Sequence, residues 1–424
     1  MITAHILFIG HLWPEPDSSA AGYRTMALID ACLEQHWNVD FSCAAEPTPW
    51  SVHLQKIGVG CHAITINSES FDQWIKELQA DFIVFDRFMT EEQFSWRVEK
   101  NCPQAIRIID TSDLHFLRRS RQQQLKLQNQ ASNNKSLSHS ALELPPLDLN
   151  NQDSIREISS IYRCDLALVI SSYEMKLLID KFQISKQLLM YLPFMFENSQ
   201  IKEAPIKNSY ASRKNFFMIG NFLHEPNWDA VLWCKQKLWS KIRAAIPEAQ
   251  LHIYGAYTPE KARQLHQPKE GFFIMGRAEN LDALIQKYRV NLVPLRFGAG
   301  IKGKIADGFR LGLPCITTSI GAEGMADNLP WGGFICDDEN NFCNTAVKLY
   351  QQPDTWLQKQ QYGYDIIKKI HNKSLHQANF IKQLLQLKKN ITQHRNKNFI
   401  GSMLRYHLHR SHEFMSRWIE EKNK

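Results

Sequence analysis

Long apolar runs are missing from this sequence. Nowhere do about 18 consecutive apolar residues occur, so no segment is expected to cross a bilayer as a helix. The opening MITAHILFIG lacks a cationic region before its apolar run and a small-residue cleavage site. It reads as a first strand, not a signal peptide. Cys-x-x-Cys pairs are absent. Nine scattered cysteines, an odd number, fit buried thiols in a reducing cytoplasm. There is no Asp-x-Asp, a spacing that can hold a metal ion together with phosphates, so chemistry independent of a metal is expected. The G-x-S-x-G elbow, the Walker loop, H-E-x-x-H and any repeat of solenoid period are likewise absent. Net positive charge is confined to the C-terminus. Residues 381–424 hold ten Lys/Arg against three Glu, which equals the whole formal net charge of +7, so residues 1–380 are formally neutral. That argues against a chain-wide field for nucleic acid, and no such partner is expected.

What is present reads as α/β. A chain of 424 residues divides naturally into two domains of about 200, and 44% hydrophobic with 22% charged residues excludes wholesale disorder. In the first half HILFIG, NVDFSCAA, HAITI, DFIVF, IRIID and DLALVIS are strand candidates, several followed by helical stretches, with a helix at Tyr23–Glu34. Apolar strands alternating with helices imply a parallel sheet. Residues 118–153, rich in Gln, Asn and Ser, read as a surface helix plus a mobile loop. Beyond about residue 215, FFMIGNF, LHIYG, GFFIMG, VNLVPLRF and PCITTS are strands. PNWDAVLWCKQKLWSKIRAAI, ENLDALIQKY and KIADGFRLG are helices. The expected division is an N-terminal domain 1–200, a linker 201–215, a C-terminal domain 216–370 and basic C-terminal helices 371–424.

The sharpest element is residues 290–325, VNLVPLRFGAGIKGKIADGFRLGLPCITTSIGAEGM. Gly298, Gly300 and Gly303 let backbone amides approach a ligand, and the helix beginning near Lys304 aims its positive end at the same loop. Together they make an anion site suited to phosphate, to which Lys302, Lys304 and Arg296 add charge. Gly298 to Gly303 also matches G-x-G-x-x-G, with Glu323 at the spacing of a ribose acid, so an NAD-dependent oxidoreductase is an alternative. Two lysines, and a position late in its domain, favour a sugar nucleotide over a dinucleotide.

Ligands of open parallel sheets bind outside the carboxyl ends of strands. Three polar clusters fall there in the first domain: Ser18, Ser19 and Gly22 after the first strand, Asp86 with Arg87 after DFIVF, and Asp110, Asp113 and His115 after IRIID. Ser18 and Ser19 equally suit a helix cap, Asp86–Arg87 a structural ion pair and Asp110 a turn cap. His115, beside two carboxylates, is placed for proton or hydrogen-bond work. Ser171 to Glu174 reads as a helix cap with an acidic first turn. His407-x-His409-x-x-His412 has zinc-binding residue types, but a solvated helix face is the better reading, and no metal site is expected. In residues 399–421, Leu404, Leu408, Met415 and Ile419 form a stripe, read as packing back on the domains, with attachment to an anionic membrane surface as the alternative.

The segment LVPLRFGAGIKGKIADGFRLGLPCITTSIGAEGM resembles the donor-site segment of GT-B-type retaining glycosyltransferases of the large family-4-like group. IGNFLHEPNWDAVLWC, GRAENLDALIQKY and IIDTSDLHFLR follow that group's order and spacing over about residues 5–370. The resemblance implies two Rossmann-like domains with parallel sheets facing a cleft, the donor on the C-terminal domain and the acceptor mainly on the N-terminal one. With the cysteine pattern, the expectation is a cytoplasmic enzyme without a cofactor, or one peripheral at the inner membrane surface. Such an enzyme moves a sugar from a UDP- or GDP-sugar to a glycan, lipid-linked or protein acceptor. Asp307 stands where the family commonly has a ribose-holding glutamate. Ala299 stands at the family's earlier glutamate. The first loop of the C-terminal domain, Gly220-Asn221-Phe222-Leu223-His224-Glu225-Pro226, has no Arg or Lys for the pyrophosphate, which leaves Lys302, Lys304 and Arg296 as substitutes. By the same resemblance Gly321, Ala322, Glu323 and Gly324 approach the donor sugar and phosphates. His115 and the 18–22 loop face acceptor and donor phosphates, and the base is held through backbone near Met275–Ala278. A member of the fold that binds a sugar nucleotide without turnover is the non-enzymatic alternative.

Overall fold

The computed structural model describes residues 4–133, 147–203 and 210–422. Two wholly parallel sheets organise it. The first contains β1 (His5–Gly10), β2 (Asn38–Cys43), β3 (Gly60–Ala63), β4 (Phe82–Asp86), β5 (Ile106–Asp110), β6 (Leu166–Val169) and β7 (Leu189–Tyr191), in the order 3-2-1-4-5-6-7. The second contains β8 (Lys214–Ile219), β9 (Leu251–Tyr254), β10 (Phe272–Gly276), β11 (Tyr288–Val293), β12 (Cys315–Thr317) and β13 (Gly333–Ile335), in the order 10-9-8-11-12-13. Strand order therefore reverses between β1 and β4 and again between β8 and β11. At such a switch point neighbouring loops part to opposite faces and leave a crevice at the strand ends.

The central strands are buried on both faces, as their unbroken apolar runs require: Ile6, Leu7, Phe8 and Ile9 in β1, and Val290, Leu292 and Val293 in β11, are all nearly inaccessible. β7 and β13 escape sequence reading, since three residues carry too little periodicity. β3 ends at Ala63, short of the HAITI run, because it pairs only with β2, at Asp40–Cys43. The expected long helix after β8 runs Glu225–Trp233, then a π-turn Cys234–Leu238, then Trp239–Ala245. In the Gln-rich stretch, helix His115–Asn133 is followed by helix Gln152–Arg163 with an Asn151/Ser154 capping box. Residues 134–146, where the mobile loop was expected, lie outside the described residues, as do 204–209 of the expected linker and the side chains of His407 and His409.

The chain ends back on the first domain. Helix Pro353–Ile370 packs on helix Gly303–Arg310. Helix Lys373–Asn396 then buries Phe380, Ile381, Leu384 and Leu387 with Leu28 and Ile29 of helix Ala20–Leu33. Helix Phe399–Lys422 lies on helices Arg87–Asn101 and Gln152–Arg163. Those two are joined by an ion pair sealed from solvent, Arg163 Nε donating to Glu91 Oε1 at 2.8 Å, with Ser160 Oγ donating to the other carboxylate oxygen at 2.8 Å. Removing one partner strands a buried charge. Glu91→Ala is expected to destabilise the N-terminal domain by about 3–5 kcal/mol, read as a fall in the urea midpoint. A loss below about 1 kcal/mol, the range of an exposed pair, contradicts this.

Candidate active site

The lysine loop follows β11, one of the two strands at the switch point of the second sheet. Gly300 adopts φ +64, and a Cβ there would lie 2.7 Å from the Cβ of Asp113 in the first domain. Glycine is thus required both by backbone conformation and by the approach of the two domains. Gly303 opens helix Gly303–Arg310 against Ala20, with 2.9 Å between an added Cβ and the Ala20 Cβ.

Both lysines are drawn inward. Lys302 is 7% exposed, and its Nζ donates to the carbonyls of Ala299 (3.2 Å) and Gly300 (2.6 Å). Burial pulls its pKa below the ordinary lysine value, against the attraction of Glu323 and Glu174. Lys304 Nζ donates to Asn227 Oδ1, and a Cβ at Gly220 would lie 2.6 Å from the Asn227 amide and 2.9 Å from Lys304 Nζ. The lysine thus joins the loop after β8 to the loop after β11. Burial, then the charge of Lys302, pulls Lys304 down to about 7. Asn221 holds the β8 loop together: its Oδ1 accepts from Leu223 N (2.8 Å) and its carbonyl from Asn227 Nδ2 (2.8 Å).

Carboxylates from both domains converge on the loop. Glu174 Oε1 accepts from Leu114 N (3.0 Å) in its own domain and from Gly300 N (2.8 Å) across the crevice. Burial, then the charge of Asp113, raises its pKa. Glu323 receives a bidentate pair from Arg121 (2.7 and 2.9 Å), whose Nη1 also donates to the Gly298 carbonyl (2.8 Å). Gly324 stands against Ser171, which caps helix Ser172–Asp180. Gly321 lies in the short helix Ser319–Ala322, capped by Thr318.

On the facing domain, His115 is 4% exposed, its Nε2 3.4 Å from Asp113 Oδ1 and its ring edge-on to Phe88. Burial, partly opposed by Asp113, lowers its pKa to about 4, so the imidazole is neutral near pH 7, and its Nδ1 has no protein partner. Burial pushes the Asp113 carboxyl up, but Arg118 and His115 outweigh it and hold it far below the usual range. Glu157 receives the N–H groups of His115 (3.2 Å) and Phe116 (3.0 Å), which anchors the first turn of helix His115–Asn133. Ser19 caps helix Ala20–Leu33 through Gly22 N (3.0 Å). Ser18 Oγ is buried without a partner. Arg87 (φ +72) and Ser112 (φ +57) hold strained backbone at the ends of β4 and β5, a feature that clusters at binding sites.

A groove of about 550 Å³ runs beside the crevice, lined by Gly255, Tyr257, Thr258, Met275, Gly276 and Arg277 of the second domain and Trp50 of the first. The Arg277 guanidinium stacks 4.0 Å from the Trp50 ring centroid.

Residues 213–352, the second sheet with its helices, match the family model of glycosyl transferases group 1. That segment is similar to the glycosyl transferases group 1, and the whole chain has the GT-B fold. Solved structures of similar fold include sucrose-phosphate synthase from Thermosynechococcus elongatus, with TM-score 0.64 at 15% identity over 91% of this chain and 99% of that one. Anabaena HepE, in complex with UDP-glucose, gives TM-score 0.64 at 11% identity over 91% and 100%. A glycosyltransferase from Rickettsia africae gives TM-score 0.64 at 10% identity over 92% and 99%. No curated protein matches the sequence.

Among the residues that the sequence points to, Lys302, Lys304, Gly298, Gly300, Gly303, Glu323, Asp113 and His115 come together at the crevice. Four others have charges already matched. Arg296 pairs with Asp229, its Nε donating at 2.9 Å, rather than adding mobile charge to the loop. Asp110 receives Arg24 Nε at 2.8 and 2.9 Å. Asp307 accepts from Arg310 Nε (2.9 Å), and Arg310 also pairs with Asp282. Asp86 accepts from His11 N (3.2 Å) and lies 3.4 Å from Arg87 Nε, the ion pair weighed as the plainer reading. Glu174, Arg121, Glu157 and Asn227 were not singled out. Only Glu174 carried a signal, as the acid of a capped first turn. Among the described residues no three His, Cys, Asp or Glu side chains converge as metal ligands.

An ammonium that must be charged to meet a diphosphate fails as pH rises through its pKa. On a nucleotide-sugar reading of the site, kcat/KM for donor, which reports the free protein, is therefore expected to fall above about pH 7, in step with Lys304. Lys304→Arg, permanently charged, should move this limb to higher pH. A wild-type profile flat from about pH 6 to 9 contradicts the assignment.

Proposed function

We propose that this enzyme transfers a sugar from a UDP- or GDP-sugar to a hydroxyl of a glycan, lipid-linked or protein acceptor, with retention at the anomeric carbon and without a metal. The observation that carries the reading is the pair of desolvated lysines on a glycine loop at the switch point of the second sheet. Lys302, Lys304 and the loop amides meet the donor diphosphate and neutralise the charge that develops as the sugar–phosphate bond breaks. Lys304, tied to Asn227 beside Gly220, brings to the β8 loop the cation that this loop lacks. The acceptor oxygen forms the new bond on the face the diphosphate leaves, and its proton passes to the departing phosphate oxygen. The neutral His115, with Nδ1 free to accept, positions a hydroxyl of the reacting sugar or acceptor. Asp307, on the lysine-loop helix, orients the donor ribose. The groove beside Met275–Arg277 takes the base, largely through backbone. Anabaena HepE, of the same fold, was solved with UDP-glucose, which supports a nucleotide-sugar donor.

Thermal shift against UDP- and GDP-sugars, with NADH as the contrasting ligand, identifies the donor. NMR of the product gives the anomeric outcome. Lys302→Ala is expected to lower kcat by about 10²–10³ with an unchanged melting temperature. Near-normal turnover overturns the role, and an inverted anomer overturns retention.

A further inference from the structure

Helix Phe399–Lys422 presents two contrasting faces. The inner one is seated on protein. Gly401 lies so near the Tyr162 carbonyl that a Cβ would fall 2.1 Å from it. Arg97 Nη2 donates to Ser416 Oγ (3.0 Å), Arg405 Nη1 to the Arg163 carbonyl (3.2 Å), and Asn398, just before the helix, to the Tyr162 carbonyl (2.7 Å). The outer face is aromatic and exposed: Phe399 72%, Tyr406 59%, Phe414 70% and Trp418 63%, with Ile400 and Met403 each at 47%. At helical pitch these six positions fall within an arc of about 120°. Exposed Lys397 and Lys422 flank the row, Arg417 lies within it paired with Glu413 (2.6 Å) beside exposed Glu421, and Lys422 Nζ lies 5.2 Å from the Trp418 ring centroid. The last 44 residues carry all of the chain's net charge of +7.

We propose that this face docks on the anionic surface of a lipid bilayer, with the helix lying in the headgroup plane. Large exposed aromatics on a monomer mark an interaction site, and their number here exceeds the scatter of a normal surface. Rings that reach the acyl boundary, flanked by cations that meet acidic headgroups, are the composition of an interfacial helix. A second copy of this chain on the same face is the competing occupant, which the sedimentation-velocity arm of the test separates. No helix among the described residues is long and apolar enough to cross a membrane, so contact is at the surface. The helix rests on helices Arg87–Asn101 and Gln152–Arg163, which follow Asp86 and carry Glu157. Docking therefore holds the acceptor-side domain at the bilayer. The inference stands independently of the donor chemistry.

The test is co-sedimentation of the full chain with vesicles of phosphatidylcholine and phosphatidylglycerol (about 2:1) against phosphatidylcholine alone. Wild type is expected to pellet with the acidic vesicles only, and less at high salt. Phe414→Ser/Trp418→Ser, and separately Arg417→Glu/Lys422→Glu, are expected to weaken binding by at least about tenfold while melting temperature and donor binding stay at wild-type values. Both pairs lie outside the core. Absence of pelleting with acidic vesicles overturns the proposal. So does equal pelleting of the variants, or a wild-type dimer by sedimentation velocity that the aromatic variant converts to a monomer.

Discussion

A cationic loop taken out of water between two domains constrains the rest of this structure. Removing an ammonium from solvent costs several kcal/mol unless fixed dipoles and opposite charges replace the lost hydration. Around Lys302 those replacements are its own loop carbonyls, Glu323 and Glu174. The last two are themselves held, Glu323 by Arg121 and Glu174 by two backbone amides. The balance is met from both domains, so the site exists only where the domains meet. Its depressed lysine pKa values record how incompletely the cations are compensated. Under the proposed function a diphosphate would supply the missing negative charge, and the same dipoles would then stabilise a leaving group without first having to reorganise.

The location of this loop follows from the wiring of the sheets. In each, the order reverses once, and the loops flanking the reversal are the ones free to splay. β8 and β11 flank it in the second sheet, and Lys304 bridges their loops through Asn227. Small residues let the two sets of strand ends close on one another: Gly300 against Asp113, Gly303 against Ala20, Gly324 against Ser171. A side chain at Gly300 would demand both a disfavoured backbone conformation and a wider crevice.

The parallel sheets, the lysine loop and its glycines were legible because each is written locally, in apolar runs and in glycine spacing. The short strands β7 and β13 were not, since edge pairing rather than pattern makes them. The electrostatic shell was illegible for a different reason. Glu174 reads as a capped helix start, and Ser171 does cap that helix; the same glutamate also accepts from Gly300, 126 residues away. Arg121 sits in a Gln-rich stretch whose composition suggests a solvated helix, yet it joins Glu323 across 202 residues. Conversely, Arg296 and Asp110 have the right residue types in the right loops. Partners 67 and 86 residues away, Asp229 and Arg24, match their charges. Residue type and spacing locate an anion loop, while the partner of each charge is a property of the assembled domains.

The same distance effect governs how the domains can move. The chain crosses between them twice, near Phe196 and again near Asn372. The two crossings are hydrogen-bonded, Phe196 N to the His371 carbonyl at 2.8 Å and Lys373 N to the Phe196 carbonyl at 3.0 Å. Lys373 reinforces the pair by reaching Glu34 (2.7 Å) and Glu197 (2.8 Å). Helix Lys373–Asn396 then fastens the second crossing to the first-domain core. A paired crossing of this kind fixes an axis: rotation about it leaves the crossing intact while changing the gap at the strand ends. The contacts that such a rotation must break include Glu174 with Gly300, Arg121 with Glu323 and the Gly298 carbonyl, Ser172 with Asp327 (2.7 Å) and Tyr257 with Glu15 (3.0 Å). Two of them, Glu174 with Gly300 and Arg121 with the Gly298 carbonyl, reach the lysine loop. Groups that compensate the buried lysines therefore also contribute to the energy of opening, and under the proposed function donor binding and domain closure share part of one set of interactions.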